Sequence, residues 1–372
     1  MQMNYFKMIL SAFVSSRNVL PILGIRRKPK VLQLPVTSRC NSRCVTCNVW
    51  KEKKKIDIDP ALLKIIFSDE FFSEVCEVGI NGGEITLVPD FIEIINAVMT
   101  LPRLKTIYLI SNGLLPDKLL DLLGHTKKIC DQKGVYLNIT ISVDGYGDVH
   151  EMIRGIPHCF IRTKKLLDML FVSRHQYAHG VSIGCTLSQK NIPYVIQTES
   201  FLSQYPFPVQ YHIAVPNKRI HTFGDAKNYY LLDDEHSRLL GAEFFYKKFT
   251  ESSLSNNKYF YFSQYYFLKN KGRGRLCPCQ YKYRDITIDE QNKLYLCATA
   301  SEEVGDLSIE NIHTVINKRR LDRIQHNTNR YCDTCVHYMD NTPTLKGMIL
   351  FLREIIMTRF NWVYKFELLA RW

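Results

Sequence analysis

The sequence predicts an α/β fold, a partial (β/α)6 TIM-like barrel followed by a small C-terminal, cysteine-rich α+β unit. Three observations predict it. From Val31 onward short β-rich runs alternate with longer helical patterns, the signature of parallel strands joined through helices. About six such units precede residue 230, short of the eight that close a barrel. Polar motifs follow the C-terminal ends of four of the strands, the rim at which parallel barrels assemble active sites.

The elements follow in order. Strands are expected at Val31–Val36, Glu77–Asn81, Thr106–Ser111, Tyr136–Val143, Gly180–Leu187 and Gln210–Ala214. Helices are expected near Pro60–Ser68, Asp90–Leu101, Pro116–Cys130, Phe160–Ser173 and Pro193–Tyr205, then at Leu231–Lys248. The second unit opens with Cys277-Pro278-Cys279 and continues as a hairpin, Asp285–Asp289 and Leu294–Cys297, turning at Gln291-Asn292-Lys293. Asn292 suits a positive φ there. A helix near Ile309–Gln325 leads to Cys332-x2-Cys335. The expected divisions are an N-terminal extension (1–30), the core (31–230), a linking helical region (231–270), the cysteine-rich unit (271–340) and a tail (341–372).

Twelve cysteines in 372 residues are unlike a small secreted disulfide scaffold. Cys76, Cys130, Cys159 and Cys185 stand singly in apolar segments and read as core thiols. The others form two groups, and grouped thiolates bind zinc or iron–sulfur clusters. A structural zinc site wants four ligands, whereas Cys40, Cys44 and Cys47 offer three as C-x3-C-x2-C. Three thiolates on a four-iron cluster leave one iron open for a substrate or cofactor, so iron–sulfur is favoured at this site. At the second group zinc remains the alternative.

The C-x3-C-x2-C triad, Gly82-Gly83-Glu84 after the second strand, and the six-unit core resemble the radical S-adenosylmethionine (radical SAM) superfamily over roughly residues 31–215. The hairpin with Cys279-x17-Cys297, followed by Cys332-x2-Cys335, resembles the auxiliary-cluster extension called SPASM, or its shortened twitch form. No cysteine follows Cys335, which favours one auxiliary cluster over two. Asn292 stands where that family usually has Gly, and Thr46 where an aromatic residue often precedes the third cysteine.

The resemblance implies two 4Fe-4S clusters and S-adenosyl-L-methionine as cofactors, with a flavodoxin- or ferredoxin-type electron donor. Cys40, Cys44 and Cys47 would hold the first cluster, whose fourth iron is chelated by S-adenosylmethionine. One electron then yields a 5′-deoxyadenosyl radical that abstracts a substrate hydrogen atom. Gly82 and Gly83 would approach the methionine moiety, with Glu84 accepting from its ammonium. Ser142 and Asp144, after the fourth strand, are candidates for the ribose hydroxyls, Arg154 for the carboxylate, and Ser111 and Asn112 for the same rim. Cys279, Cys297, Cys332 and Cys335 would hold the auxiliary cluster. Cys277 is either a rival ligand or a spare thiol able to return a hydrogen atom, as in an epimerase.

The formal charge of +13 sits at the ends. Residues 1–50 hold eight basic residues and no acidic one, and the tail from Asn341 holds five against two. A nearly neutral body argues against a nucleic-acid face running through it. Leu345, Met348, Ile349, Leu352, Ile355 and Ile356 follow helical spacing. Trp362, Tyr364, Phe366 and Trp372 come after them, and Tyr5, Phe6, Ile9, Leu10 and Phe13 precede Arg26-Arg27-Lys28. These ends either cover the barrel or contact a membrane surface peripherally. No stretch is apolar enough to span a membrane, and a cytoplasmic site is expected.

The leading functional expectation is an oxidoreductase acting on a sugar, aminocyclitol or glycan-linked small molecule. The alternatives are a maturase of a ribosomally made precursor peptide, a radical epimerase, and a non-catalytic, metal-stabilised binding protein.

Overall fold

Six strands form where alternating apolar residues need one face covered: β1 (Val31–Pro35), β2 (Glu77–Asn81), β3 (Thr106–Ser111), β4 (Tyr136–Ser142), β5 (Gly180–Leu187) and β6 (Val209–Ile213). Each pairs in parallel with the next, as in Leu34 opposite Ile80 and Ile139 opposite Val181. Between them run α1 (Pro60–Phe67), α2 (Phe91–Val98), α3 (Pro116–Lys133), α4 (Asp148–Arg154), α5 (Cys159–Tyr177) and α6 (Val195–Leu202). The outward strand residues Leu32, Ile80, Leu109 and Ile139 are fully buried in one core with Leu63, Ile94, Leu123 and Leu166 of the helices. The alternate positions Gln33, Asn81, Asn138, Thr140 and Ser142 turn to the other face and are half-buried, as the period of two requires. This open, mostly parallel sheet is the partial barrel expected from the alternation.

The computed structural model describes residues 28–253, 256–332, 334–337 and 343–369, excluding the side chains of 256 and 359–369. The N-terminal run with Tyr5, Phe6, Ile9, Leu10, Phe13 and Arg26-Arg27 lies outside the described residues. So do Trp372 and the side chains of Trp362, Tyr364 and Phe366.

The cysteine-rich unit continues the same sheet. Its strands β7 (Ile286–Ile288), β8 (Lys293–Tyr295) and β9 (Glu303–Asp306) extend the order to β6-β5-β4-β3-β2-β1-β7-β8-β9. β7 runs parallel to β1, with Leu32 opposite Ile286. The buried carboxylate of Asp285 fixes that junction by accepting the N–H of Val31 at 3.1 Å and Arg284 Nε at 2.7 Å. The hairpin turn holds Asn292 at φ 62°. Asp289 Oδ1 closes it, accepting the N–H groups of Gln291 and Lys293, each at 2.9 Å.

β9 stands where no strand was expected, and three helical features also depart from the expected elements. α4 ends on Gly155 at φ +65°, and at seven residues its periodicity is too short to read. A helix α8 (Asn256–Lys269) packs against α7 (Glu235–Glu251); its aromatic sequence suits strands by propensity, but burial of Tyr259, Phe262 and Phe267 decides for the helix. The helix expected over Ile309–Gln325 is two, α9 (Ile312–Val315) and α10 (Lys318–Cys332). α11 (Leu345–Leu369) then joins α7 and α8 in a second core that also covers Tyr211 and Ile213 of β6.

Candidate active site

The triad loop leaves the C-terminal end of β1 and is clamped on two sides by backbone. From β2, the N–H of Gly83 donates to Thr37 O at 2.7 Å and that of Glu84 to Arg39 O at 2.8 Å. The two glycines are required by this approach. A Cβ on Gly82 would lie 2.6 Å from Thr37 O, and one on Gly83 would overlap the Arg39 carbonyl. The recorded close approach is thus to the cysteine loop itself. From α4, Arg154 O accepts the N–H of Arg43 at 2.8 Å, and Ile153 O that of Val45 at 3.0 Å. Gly155, the αL cap of α4, lies against Arg43 O. Asp57 completes the clamp, accepting Thr37 Oγ1 at 2.6 Å and Arg39 Nε at 2.7 Å.

Glu84, Ser111 and Asn112 form one buried network. Glu84 Oε1 accepts Ser111 Oγ at 2.8 Å and Thr86 Oγ1 at 3.0 Å, and Oε2 accepts the Asn112 N–H at 2.8 Å. Asn112 Nδ2 then reaches Asn41 Oδ1 at 2.8 Å and Ser42 Oγ at 3.1 Å, inside the triad loop. Burial pushes the Glu84 carboxyl up, and these donors oppose it.

Ser142 ends β4 opposite Gly184. Asp144 is buried, and both its oxygens are engaged: Oδ1 accepts the Thr186 N–H and Oδ2 meets Arg154 Nη2, each at 2.8 Å. Arg154 Nη1 lies 3.6 Å from Cys44 Sγ. Burial opposes the charge of Arg154, but Asp144 and the Cys44 and Cys40 thiols hold it protonated above its ordinary range.

Burial pushes the Cys40 thiol up to about 12 and Cys47 up to about 11. Such thiols become thiolates when a metal centre takes the charge. The surroundings suit an anionic occupant. Arg154 Nε and Arg219 Nε are buried without a hydrogen-bond partner among the described residues, both guanidinium charges favour the Cys47 thiolate, and Cys40 Sγ accepts the Ser42 N–H at 3.4 Å. Three thiols, two cations and a backbone donor fit an iron–sulfur centre with one open iron. Arg219 was not singled out from the sequence. It lies 172 residues beyond Cys47 in the chain, and its one signal is its place just after the end of β6, at the shared rim.

The second group converges around one cavity, lined by Cys279, Cys297, Cys332 and Cys335 with Arg275, Thr299 and Tyr331. Cys277 lies elsewhere, buried in the second core 3.6 Å from Ser263 Oγ. Arg275 staples the parts together, donating to Cys277 O at 2.7 Å and Cys335 O at 2.9 Å. Cys297 Sγ accepts the Ala300 N–H at 3.2 Å and Cys335 Sγ the His337 N–H at 3.4 Å. Burial pushes Cys332 up to about 12 and raises Cys279 and Cys335, and Arg275 opposes it at the latter two. Among the described residues no three His, Cys, Asp or Glu groups crowd the point that a single metal ion would occupy; a four-iron cluster takes one thiolate per iron, at wider spacing.

The sequence profile of the radical SAM superfamily matches residues 34–174, from the middle of β1 into α5, and so contains the whole clamped loop. This segment is a radical SAM domain. Such a domain implies a 4Fe-4S cluster and S-adenosylmethionine. The chain as a whole is also similar in fold to solved structures. Hexahistidine-tagged anSMEcpe with bound AdoMet superposes with a TM-score of 0.58 at 14% identity, over 91% of this chain and 98% of that one. Native anSMEcpe with bound AdoMet and Cp18Cys peptide gives 0.54 at 15%, over 90% and 97%. Streptococcus suis SuiB bound to precursor peptide SuiA gives 0.53 at 14%, over 82% and 66%. At these identities the likeness is one of fold. A comparison with curated proteins finds no match.

Proposed function

We propose that the chain is a radical SAM oxidoreductase with two unlike clusters, an open one that initiates radical chemistry and a closed one that takes the second electron. The observation that carries this reading is the arrangement of the second site, where four cysteines from separate parts of the chain line one cavity and a fifth is excluded. A cluster with four protein ligands has no open iron, so its role is electron transfer.

When bound at the first site, the cluster and S-adenosylmethionine supply reductive cleavage of the sulfonium and hydrogen-atom abstraction from substrate. The protein's part is positional. Cys40, Cys44 and Cys47 present three thiolates from a loop whose backbone is fixed on both sides. Arg154, held by Asp144, places positive charge beside Cys44 and has donors left for a carboxylate. Ser142 stands at the rim for the ribose hydroxyls, Asp144 acts by holding Arg154, and Gly82 to Glu84 act by fixing the cysteine loop that borders the methionine end. Cys279, Cys297, Cys332 and Cys335 would hold the auxiliary cluster, with Arg275 fixing the backbone at Cys277 and Cys335.

For the substrate, the face of the sheet opposite the helices supports a polar, hydroxyl-bearing molecule such as a sugar or glycan-linked compound. Asn138 Nδ2 donates to Ser182 Oγ at 3.2 Å, and Thr140 Oγ1 bonds the same hydroxyl at 2.8 Å, so this face is lined by amides and hydroxyls. A peptide is the second reading, supported by the fold shared with anSMEcpe and SuiB, whose structures hold peptides. Burial of Cys277 in apolar surroundings gives the epimerase reading no support.

The test is anaerobic incubation with S-adenosylmethionine and dithionite. The wild type releases 5′-deoxyadenosine and Cys44→Ala does not. A wild type holding its first cluster yet releasing none refutes the reading. Isotope transfer from deuterated sugar or peptide substrates into 5′-deoxyadenosine then separates the substrate classes.

A further inference from the structure

Helix α11 is apolar on two sides, and the described structure uses one. Met348, Phe351 and Ile355 are buried, and the Phe351 ring lies 5.2 Å from Tyr259 and 5.5 Å from Phe262 of α8. The adjoining side carries Leu345, Ile349 and Ile356, spaced i, i+4, i+11, with Leu352 at i+7 on its edge, half-buried against the core. Leu345 is 50% exposed, Ile349 61% and Ile356 53%, so half or more of each remains in solvent among the described residues. The stripe runs for about 16 Å of helix.

Charge decides what would cover it. Lys346 and Arg353 are exposed and flank the stripe at helical spacing. Glu354, the acidic residue between 345 and 358, falls about half a turn away from the stripe, where its charge acts on Tyr246 and Lys269. Over residues 345–358 the face is therefore apolar and basic, with no carboxylate among the described side chains. A second copy of the same face would bring no acid to pair with Lys346 and Arg353, whereas an anionic lipid surface supplies both the apolar and the acidic partner. The sequence that follows is of the same kind, rich in Trp, Tyr and Phe among basic residues, a composition favoured at membrane–water boundaries. No helix among the described residues is long and apolar enough to cross a membrane, so the contact is a lying one.

We propose that the exposed stripe of α11 docks the protein on an anionic membrane surface, with Ile349 and Ile356 entering the headgroup boundary and Lys346 and Arg353 meeting lipid phosphates. This goes beyond the radical chemistry and does not depend on it.

The experiment is co-sedimentation of the full chain with vesicles of phosphatidylcholine alone or mixed with phosphatidylglycerol, at low and high salt. The wild type binds the anionic vesicles at least ten-fold more tightly than the neutral ones, and half-molar salt weakens it. Ile349→Glu with Ile356→Glu loses at least ten-fold on anionic vesicles, with the rate of 5′-deoxyadenosine release unchanged as the control for folding. Lys346→Gln with Arg353→Gln loses several-fold on anionic vesicles only. Equal binding by the Ile349→Glu, Ile356→Glu variant, or no wild-type binding, overturns the proposal. A dimer that the same double substitution dissolves would assign the face to a second copy instead. Vesicle binding that emerges only on deleting residues 1–25 would mean that this segment covers the face, and would equally overturn it.

Discussion

The two cysteine sites are built in opposite ways. The first takes all three thiols from one stretch of eight residues, Cys40 to Cys47, whose backbone is bonded to α4 at Arg43 and Val45 and is anchored just before Cys40, at Thr37 and Arg39, by the N–H groups of Gly83 and Glu84. The second takes four thiols from the start of the unit, the end of the hairpin and the end of α10, and holds them through side chains, chiefly Arg275. A site made by one loop depends on what grips that loop. A site assembled from distant segments depends on every segment arriving.

The largest expected effect breaks the first site without touching a ligand. In Gly83→Ala the new Cβ overlaps the Arg39 carbonyl, so the loop must leave its clamp. Iron at the first site and the rate of 5′-deoxyadenosine release should each fall about 10–100-fold, the range for lost positioning around a metal centre. Iron at the second site should persist. Iron assays and product chromatography on the one variant read both.

The converse substitution is Cys279→Ala. It should remove about four irons per chain and stop turnover of substrate, while dithionite-driven release of 5′-deoxyadenosine continues. Cys277→Ala sharpens the contrast. Two residues away in the chain, it should leave the iron content unchanged and cost roughly 1 kcal/mol in a denaturant melt through lost core packing. Equal iron loss from both variants would show that the excluded thiol is a ligand after all.

A smaller effect concerns the grip of α4. His150 is buried, and burial with the neighbouring Arg154 charge holds it well below its ordinary value of 6.5. Its Nδ1 accepts the Asp144 N–H at 3.1 Å, beside the Asp144–Arg154 pair. The folded protein therefore refuses a proton that the unfolded chain takes up near pH 6.5. This contribution is fully present above that pH and is lost as pH falls below it, by at most about 1.4 kcal/mol per pH unit. His150→Asn retains an acceptor near Nδ1 and should flatten the acid limb of stability measured by denaturant titration.

The sequence made the strands legible because each is short, β-rich and bounded by turn residues, and the rim motifs Gly82-Gly83-Glu84 and Ser111-Asn112 fall at strand ends by spacing alone. What the glycines do was not legible. Their partners are the backbone carbonyls of Thr37 and Arg39, more than 40 residues earlier in the chain. The same holds for β7, whose parallel pairing with β1 joins residues some 250 apart. α8 was hidden by its aromatic residues, which carry strand propensity and are helical here because of packing. Long-range pairing and tertiary burial leave no local pattern, and these are the features that a single sequence conceals.

The contrast between an open and a closed site is tested most directly by counting irons after anaerobic reconstitution and following the paramagnetic signal of the reduced protein as S-adenosylmethionine is added. About eight irons per chain are expected. Added S-adenosylmethionine should shift one signal, that lost with Cys40, Cys44 and Cys47, and leave unshifted the one lost with Cys279→Ala. About four irons, unchanged in Cys279→Ala, or a shift in both signals, would contradict that contrast.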